Sequence, residues 1–102
     1  MATTHLSYIP GWNVLQLRRL IRALAACSSP LLLLGDLNMP PDRASKVSGM
    51  RALATDLTFP AQHPRQQLDH ILARGPVQPA SAAAAIELPL SDHRALSVDL
   101  AP

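Results

Sequence analysis

Apolar residues fall in short runs separated by proline- and glycine-marked breaks, so the chain reads as brief alternating elements. Ala2-Thr3-Thr4-His5-Leu6 is β-prone and gives way to a turn signal at Pro10-Gly11. Leu17, Leu20, Ile21, Leu24 and Cys27 then recur at helical spacing, with Arg18, Arg19 and Arg22 on the remaining arc. Asn13 with Gln16 three residues later predicts the N-cap of this helix, Trp12 and Leu17 its hydrophobic staple, and Ser28-Ser29-Pro30 its end.

Leu31 to Leu34 is a continuous apolar run between Pro30 and Gly35, the pattern of a strand buried on both faces. Gly35 to Pro41 reads as a loop. Asp42 predicts the cap of a second helix through about Leu53, carried by Val47, Met50 and Leu53. Residues 60 to 66 form a proline-bounded loop, and Leu68 to Leu72 a strand closed by Gly75-Pro76. The alanine run 82–85 has no decisive periodicity, and its flanks lean towards strand. Pro89-Leu90-Ser91-Asp92-His93 is a loop, and Ala95 to Leu100 alternates as a half-buried strand. The predicted order is β-α-β-(α)-β-β-β, an α+β arrangement.

Length bounds this pattern to one domain at most: 102 residues, 48% apolar and 16% charged. One Trp, one Tyr and one Phe predict an aliphatic core. Nine cations against seven acids leave +2, too little to establish a nucleic-acid-binding face. Residues 1–35 hold three arginines and no acid, a cationic face predicted to be solvated. Cys27 stands alone, which excludes an internal disulfide and predicts a small core side chain. No window reaches the length of a membrane span and no secretory leader is visible, so the expected setting is soluble and cytoplasmic.

Six of the seven acids are aspartates, and three of them sit beside polar partners. Asp36 and Asn38 follow the apolar run and can project from one side of its exit loop. A carboxylate there can orient or deprotonate water while an amide donates to a phosphate oxygen; the plainer alternative is an Asx turn. Asp92-His93 can hold a metal or a phosphate, or simply cap a polar turn. Asp69 lies inside an apolar strand, where a carboxylate needs a partner such as an imidazole. His70 faces the opposite way and reads as structural, His63 as exposed. His5, a lone histidine in a short strand, is the weakest candidate by itself.

Taken in order, the motifs resemble the endonuclease/exonuclease/phosphatase family. They are Thr4-His5-Leu6, Gly35-Asp36-Leu37-Asn38, Thr58-Phe59-Pro60-Ala61, Gln67-Leu68-Asp69-His70-Ile71 and Leu90-Ser91-Asp92-His93. The resemblance implies the C-terminal half of a four-layer α/β/β/α sandwich, spanning residues 1–102. It implies a metal-dependent hydrolase of phosphate esters using Mg²⁺ or Mn²⁺, acting on nucleic acid, a lipid headgroup or a small phosphoester. The roles it implies are water activation by Asp36, phosphate contact by Asn38, and phosphate donation by His93 with Asp69 behind it. His5 would assist at the phosphate or leaving oxygen, and Asp92, with Asp36, would take part in metal binding.

The family's N-terminal half also supplies an Asn and a metal-holding Glu, and neither motif occurs here. Glu87 is the sole glutamate and follows the Gly-Asp-x-Asn motif. Low turnover is therefore expected of this chain by itself, with an apolar sheet face left open for self-association. The alternative from another class is a non-catalytic remnant or binding module of the same fold.

Overall fold

The computed structural model describes residues 1–89 and 91–101. Leu90, which opens one of the motifs above, lies outside them. The elements run β1 (Ala2–His5), α1 (Trp12–Leu24), β2 (Leu31–Asp36), α2 (Pro41–Ser48), β3 (Arg51–Ala52), β4 (Asp69–Arg74), β5 (Ala84–Ile86) and β6 (Ala95–Ser97). The first four strands form one sheet in the order β1-β2-β4-β3, while β5 and β6 pair separately. β1 and β2 are parallel and joined through α1, a β-α-β unit; β4 lies antiparallel to both β2 and β3.

Strand alternation sorts the sheet's two faces. Leu31 and Leu33 of β2 and Leu72 of β4 point towards the helices and pack with Leu17, Leu37, Met39 and Ala44. Ile71 and Ala73 point the other way and gather with Leu53, Ala54, Leu96 and Val98. The predicted burial of β2 on both faces is therefore only half met: Leu32 and Leu34 are half-buried, because the β5–β6 hairpin covers that face incompletely. The same cover narrows the open apolar face expected from the sequence.

Helix α1 ends at Leu24, a turn earlier than the heptad-like spacing suggests. Cys27 is consequently exposed rather than in the core. The last carbonyls of α1 are met by Arg74, whose guanidinium donates to Leu24 O and Cys27 O at the negative end of the helix. Its N-cap is Gly11 rather than Asn13; Gln16 instead reaches back to accept a bond from Ser7 N at 2.8 Å.

Helix α2 starts on Pro41 at its first turn and stops at Gly49, which adopts the left-handed conformation (φ 70°) typical of a helix C-terminus. It does not run on to Leu53. Met50 and Leu53 go to the two cores, and Arg51–Ala52 pairs with β4 as an unforeseen strand. The final strand is also shorter than predicted: only Ala95–Ser97 pairs with β5, while Val98 still packs inwards.

Candidate active site

The register of the sheet assembles the site. His5 lies opposite Asp36 in the β1–β2 pair, and Asp36 lies opposite Asp69 in the β2–β4 pair. Directly opposed residues share a face, so three side chains from strands distant in sequence meet at one end of the sheet. Gly35 makes the close approach possible. Its φ is +150°, and a Cβ there would overlap the backbone carbonyl of Thr4 on the neighbouring strand.

His93 arrives from the loop before β6. That loop is tied to the Thr58–Ala61 segment by Arg94 N to Thr58 O (2.7 Å), Ala61 N to Asp92 O (2.8 Å) and Arg94 Nε to Ala61 O (2.6 Å). The Phe59 ring lies 4.8 Å from the imidazole, centroid to centroid. His93 Nδ1 is 2.6 Å from Asp69 Oδ2, and its Nε2 is 3.6 Å from Asp36 Oδ2. His5 Nε2 approaches the same Asp36 oxygen at 3.4 Å, but its side chain is 75% exposed and free to move aside.

Asp36 also accepts a bond from Asn38 N at 2.9 Å, forming the Asx turn, while the Asn38 amide donates to Leu6 O at 2.7 Å. Asn38 has φ 52°, so the turn is held in a left-handed conformation that asparagine tolerates. His5, Asp36, Asn38, Asp69, Asp92 and His93 all line one pocket of about 670 Å³, with Tyr8 and Phe59 in its wall. Asp92 is exposed and stands at the margin; Asp36, Asp69 and His93 bring potential ligand atoms within 4.8 Å of one another. His63 is exposed, and buried His70 bonds Met39 O at 2.8 Å on the helix side, away from the pocket.

The electrostatics separate these groups. Burial raises the Asp36 pKa and the Asp69 charge adds to this, outweighing the Asn38 backbone bond and the two imidazoles. Burial alone would lower the His93 pKa, but the Asp69 hydrogen bond, then the charges of Asp69, Asp36 and Asp92, raise it. Burial lowers the His70 pKa against the weaker pull of its Met39 bond and nearby carboxylates. The result is a carboxylate with raised basicity beside an imidazole that holds its proton more firmly, the pairing that acid–base chemistry on an ester uses.

The family profile described as endonuclease/exonuclease/phosphatase matches residues 2–93. The chain belongs to this family. No curated protein matches it. Among solved structures, a mannosyl-6-phosphatase of Bacteroides thetaiotaomicron has the same fold, with a TM-score of 0.69 at 14% identity. The match covers 97% of this chain and 49% of that one, so this family member spans about half the length of its structural neighbour.

The supporting roles of three residues escape the sequence reading, which makes Asn13 a helix cap and gives Thr58 and Gln67 no part of their own. Asn13 is buried in the first turn of α1, and its amide donates to Asn38 O at 2.8 Å, bracing the turn that carries Asp36. A polar residue four positions before Leu17, in line with the apolar stripe, was the available signal. Thr58 is fully buried, and its hydroxyl accepts from Leu68 N and Asp69 N (3.2 and 3.4 Å), which fixes the start of β4. Gln67 is buried beside it and donates to Asp69 O at 3.2 Å. Neither Thr58 nor Gln67 is marked by periodicity; both are polar residues in short motifs.

Proposed function

We propose that this pocket is the phosphate-binding and water-activating part of a metal-dependent phosphoesterase site. The observation that carries the reading is the Asp69–His93–Asp36 line, with His93 between two carboxylates at the mouth of a solvent-open pocket. Asp36 orients the attacking water and takes its proton, and the water oxygen bonds to phosphorus as the bond to the alcohol oxygen breaks. His93, oriented through Nδ1 by Asp69, donates from Nε2 to the phosphate as charge builds on it. His5 assists at the leaving oxygen, its exposed ring free to reorient. Asn38 holds the turn under Asp36 and offers the remaining amide hydrogen to the phosphate.

The donor chemistry fits a hard divalent cation. Mg²⁺ takes oxygen ligands and often one or two carboxylates with retained water, and the pocket wall holds Asp36 and Asp92 beside open space. We assign the ion to these two, leaving Asp69 to His93; when bound, Mg²⁺ or Mn²⁺ supplies charge neutralisation at the phosphate.

We further propose that residues 1–102 correspond to the C-terminal half of an α/β/β/α sandwich. The half-length match to the structural neighbour and the half-buried Leu32 and Leu34 support this. With two acidic ligands, the chain alone turns over slowly. The test is hydrolysis of activated phosphomonoesters and phosphodiesters with Mg²⁺ or Mn²⁺. Slow turnover abolished by EDTA and by His93→Ala supports the enzyme. Phosphate binding without any divalent-dependent turnover favours a binding module.

A further inference from the structure

A second cavity, of about 480 Å³, adjoins the pocket just described; Gln66 and Leu68 stand in the walls of both. Its volume falls in the range of small-molecule sites, roughly 300–1,000 Å³. Two of the polar side chains around it, Asp56 and Gln67, are already engaged elsewhere. Asp56 accepts from Leu57 N (2.8 Å) and Ala85 N (3.1 Å). Gln67 accepts from Asp56 N (3.2 Å) and donates to Ala54 O (3.1 Å) as well as to Asp69 O.

What remains for a ligand is mainly hydrocarbon from Pro40, Pro41, Leu57 and Leu68, with Arg65, Thr55 and Gln66 as the polar residues left in the wall. The two prolines have no rotamers to freeze, and α2 fixes their position, so this wall is ordered before anything binds. Leu57 is left 43% exposed beside the cavity.

We propose that this cavity binds the alcohol portion of the phosphate ester and selects an aromatic group. Hydrocarbon walls favour an apolar group, and a guanidinium in the wall favours the face of a ring over an alkyl chain. The shared Gln66–Leu68 wall lets one molecule place its phosphate beside Asp36 and His93 and its ring beside Leu57. The assignment rests on the phosphoester reading of the adjoining pocket.

Three probes separate the two claims: methylphosphonate, 1-naphthylmethanol, and 1-naphthylmethylphosphonate, each titrated with Mg²⁺ into the ¹⁵N-labelled chain. Amides of Asn38, Asp69 and His93 report the first pocket, and those of Asp56, Leu57 and Arg65 the second. The naphthyl phosphonate should shift both sets and bind about tenfold more tightly than methylphosphonate. The alcohol should shift only the second set. Leu57→Lys and, as a second surface variant, Arg65→Ala should remove most of that tenfold gain while leaving methylphosphonate binding unchanged.

Equal affinity of the two phosphonates, or a gain that both variants retain, overturns the assignment and leaves the phosphate site standing. Silence of Asn38, Asp69 and His93 towards methylphosphonate overturns the phosphoester reading itself, and this assignment with it.

Discussion

Replacing Asp69 by Asn isolates the group that sets His93. The two side chains meet at 2.6 Å and are 22% and 23% exposed, so solvent screens the contact only partly. A hydrogen bond to a charged partner contributes about 1.5–3 kcal/mol, and asparagine keeps the shape while removing the charge. The loss corresponds to roughly 10- to 100-fold in any step that needs His93 protonated and oriented. The direct assay is the ring titration of His93 by NMR in EDTA. With Asp69 gone, burial lowers the pKa with less opposition, so His93 should release its proton at lower pH than in the unmodified chain. Divalent-dependent hydrolysis should fall in parallel. An unchanged His93 titration would refute the claim that Asp69 controls this imidazole.

The other predictions test the parts around it. Asp36→Asn should raise the melting temperature at pH 7, because it relieves a buried charge while keeping an acceptor for Asn38 N, yet lower hydrolysis at least about 100-fold. Gly35→Ala should cost about 1–3 kcal/mol or more in urea denaturation, since the opposing atom is the Thr4 backbone carbonyl and no rotamer relieves it. Buried His70 has a folded-state pKa below its unfolded value. The unfolded chain therefore binds more protons below about pH 6.5, and stability falls as pH drops through that value. His93 has the opposite sign: its contribution is present in acid and lost as pH rises through its raised folded-state value. His70→Gln should flatten the acid-side loss in urea midpoints between pH 7 and 5, leaving the His93 contribution to slope the other way.

Much of the site was legible because its chemistry sits on short motifs at strand ends. His93 precedes β6 in a loop, as the sequence pattern placed it, whereas Gly35 and Asp36, read as loop, close β2, and Asp69, read as lying inside its strand, opens β4. The ordered motifs also carried the family, which the profile match over residues 2–93 established. Periodicity could not give the register that sets His5 and Asp69 on either side of Asp36, because strand pairing depends on the whole sheet. It likewise misplaced Asn13, whose side chain satisfies the Asn38 carbonyl across 25 residues instead of capping its own helix. Helical spacing also carried α2 past Gly49, whose left-handed turn frees Arg51–Ala52 to pair with β4, a strand that begins 20 residues after it.

The central claim is that Asp36 and His93 receive a phosphate group together with a divalent cation. Calorimetric titration of a non-hydrolysable phosphonate ester, with Mg²⁺ and then with EDTA, tests it without depending on turnover. The account predicts binding that Mg²⁺ strengthens and that His93→Ala weakens. Equal binding in Mg²⁺ and EDTA, or binding indifferent to His93→Ala, would contradict it.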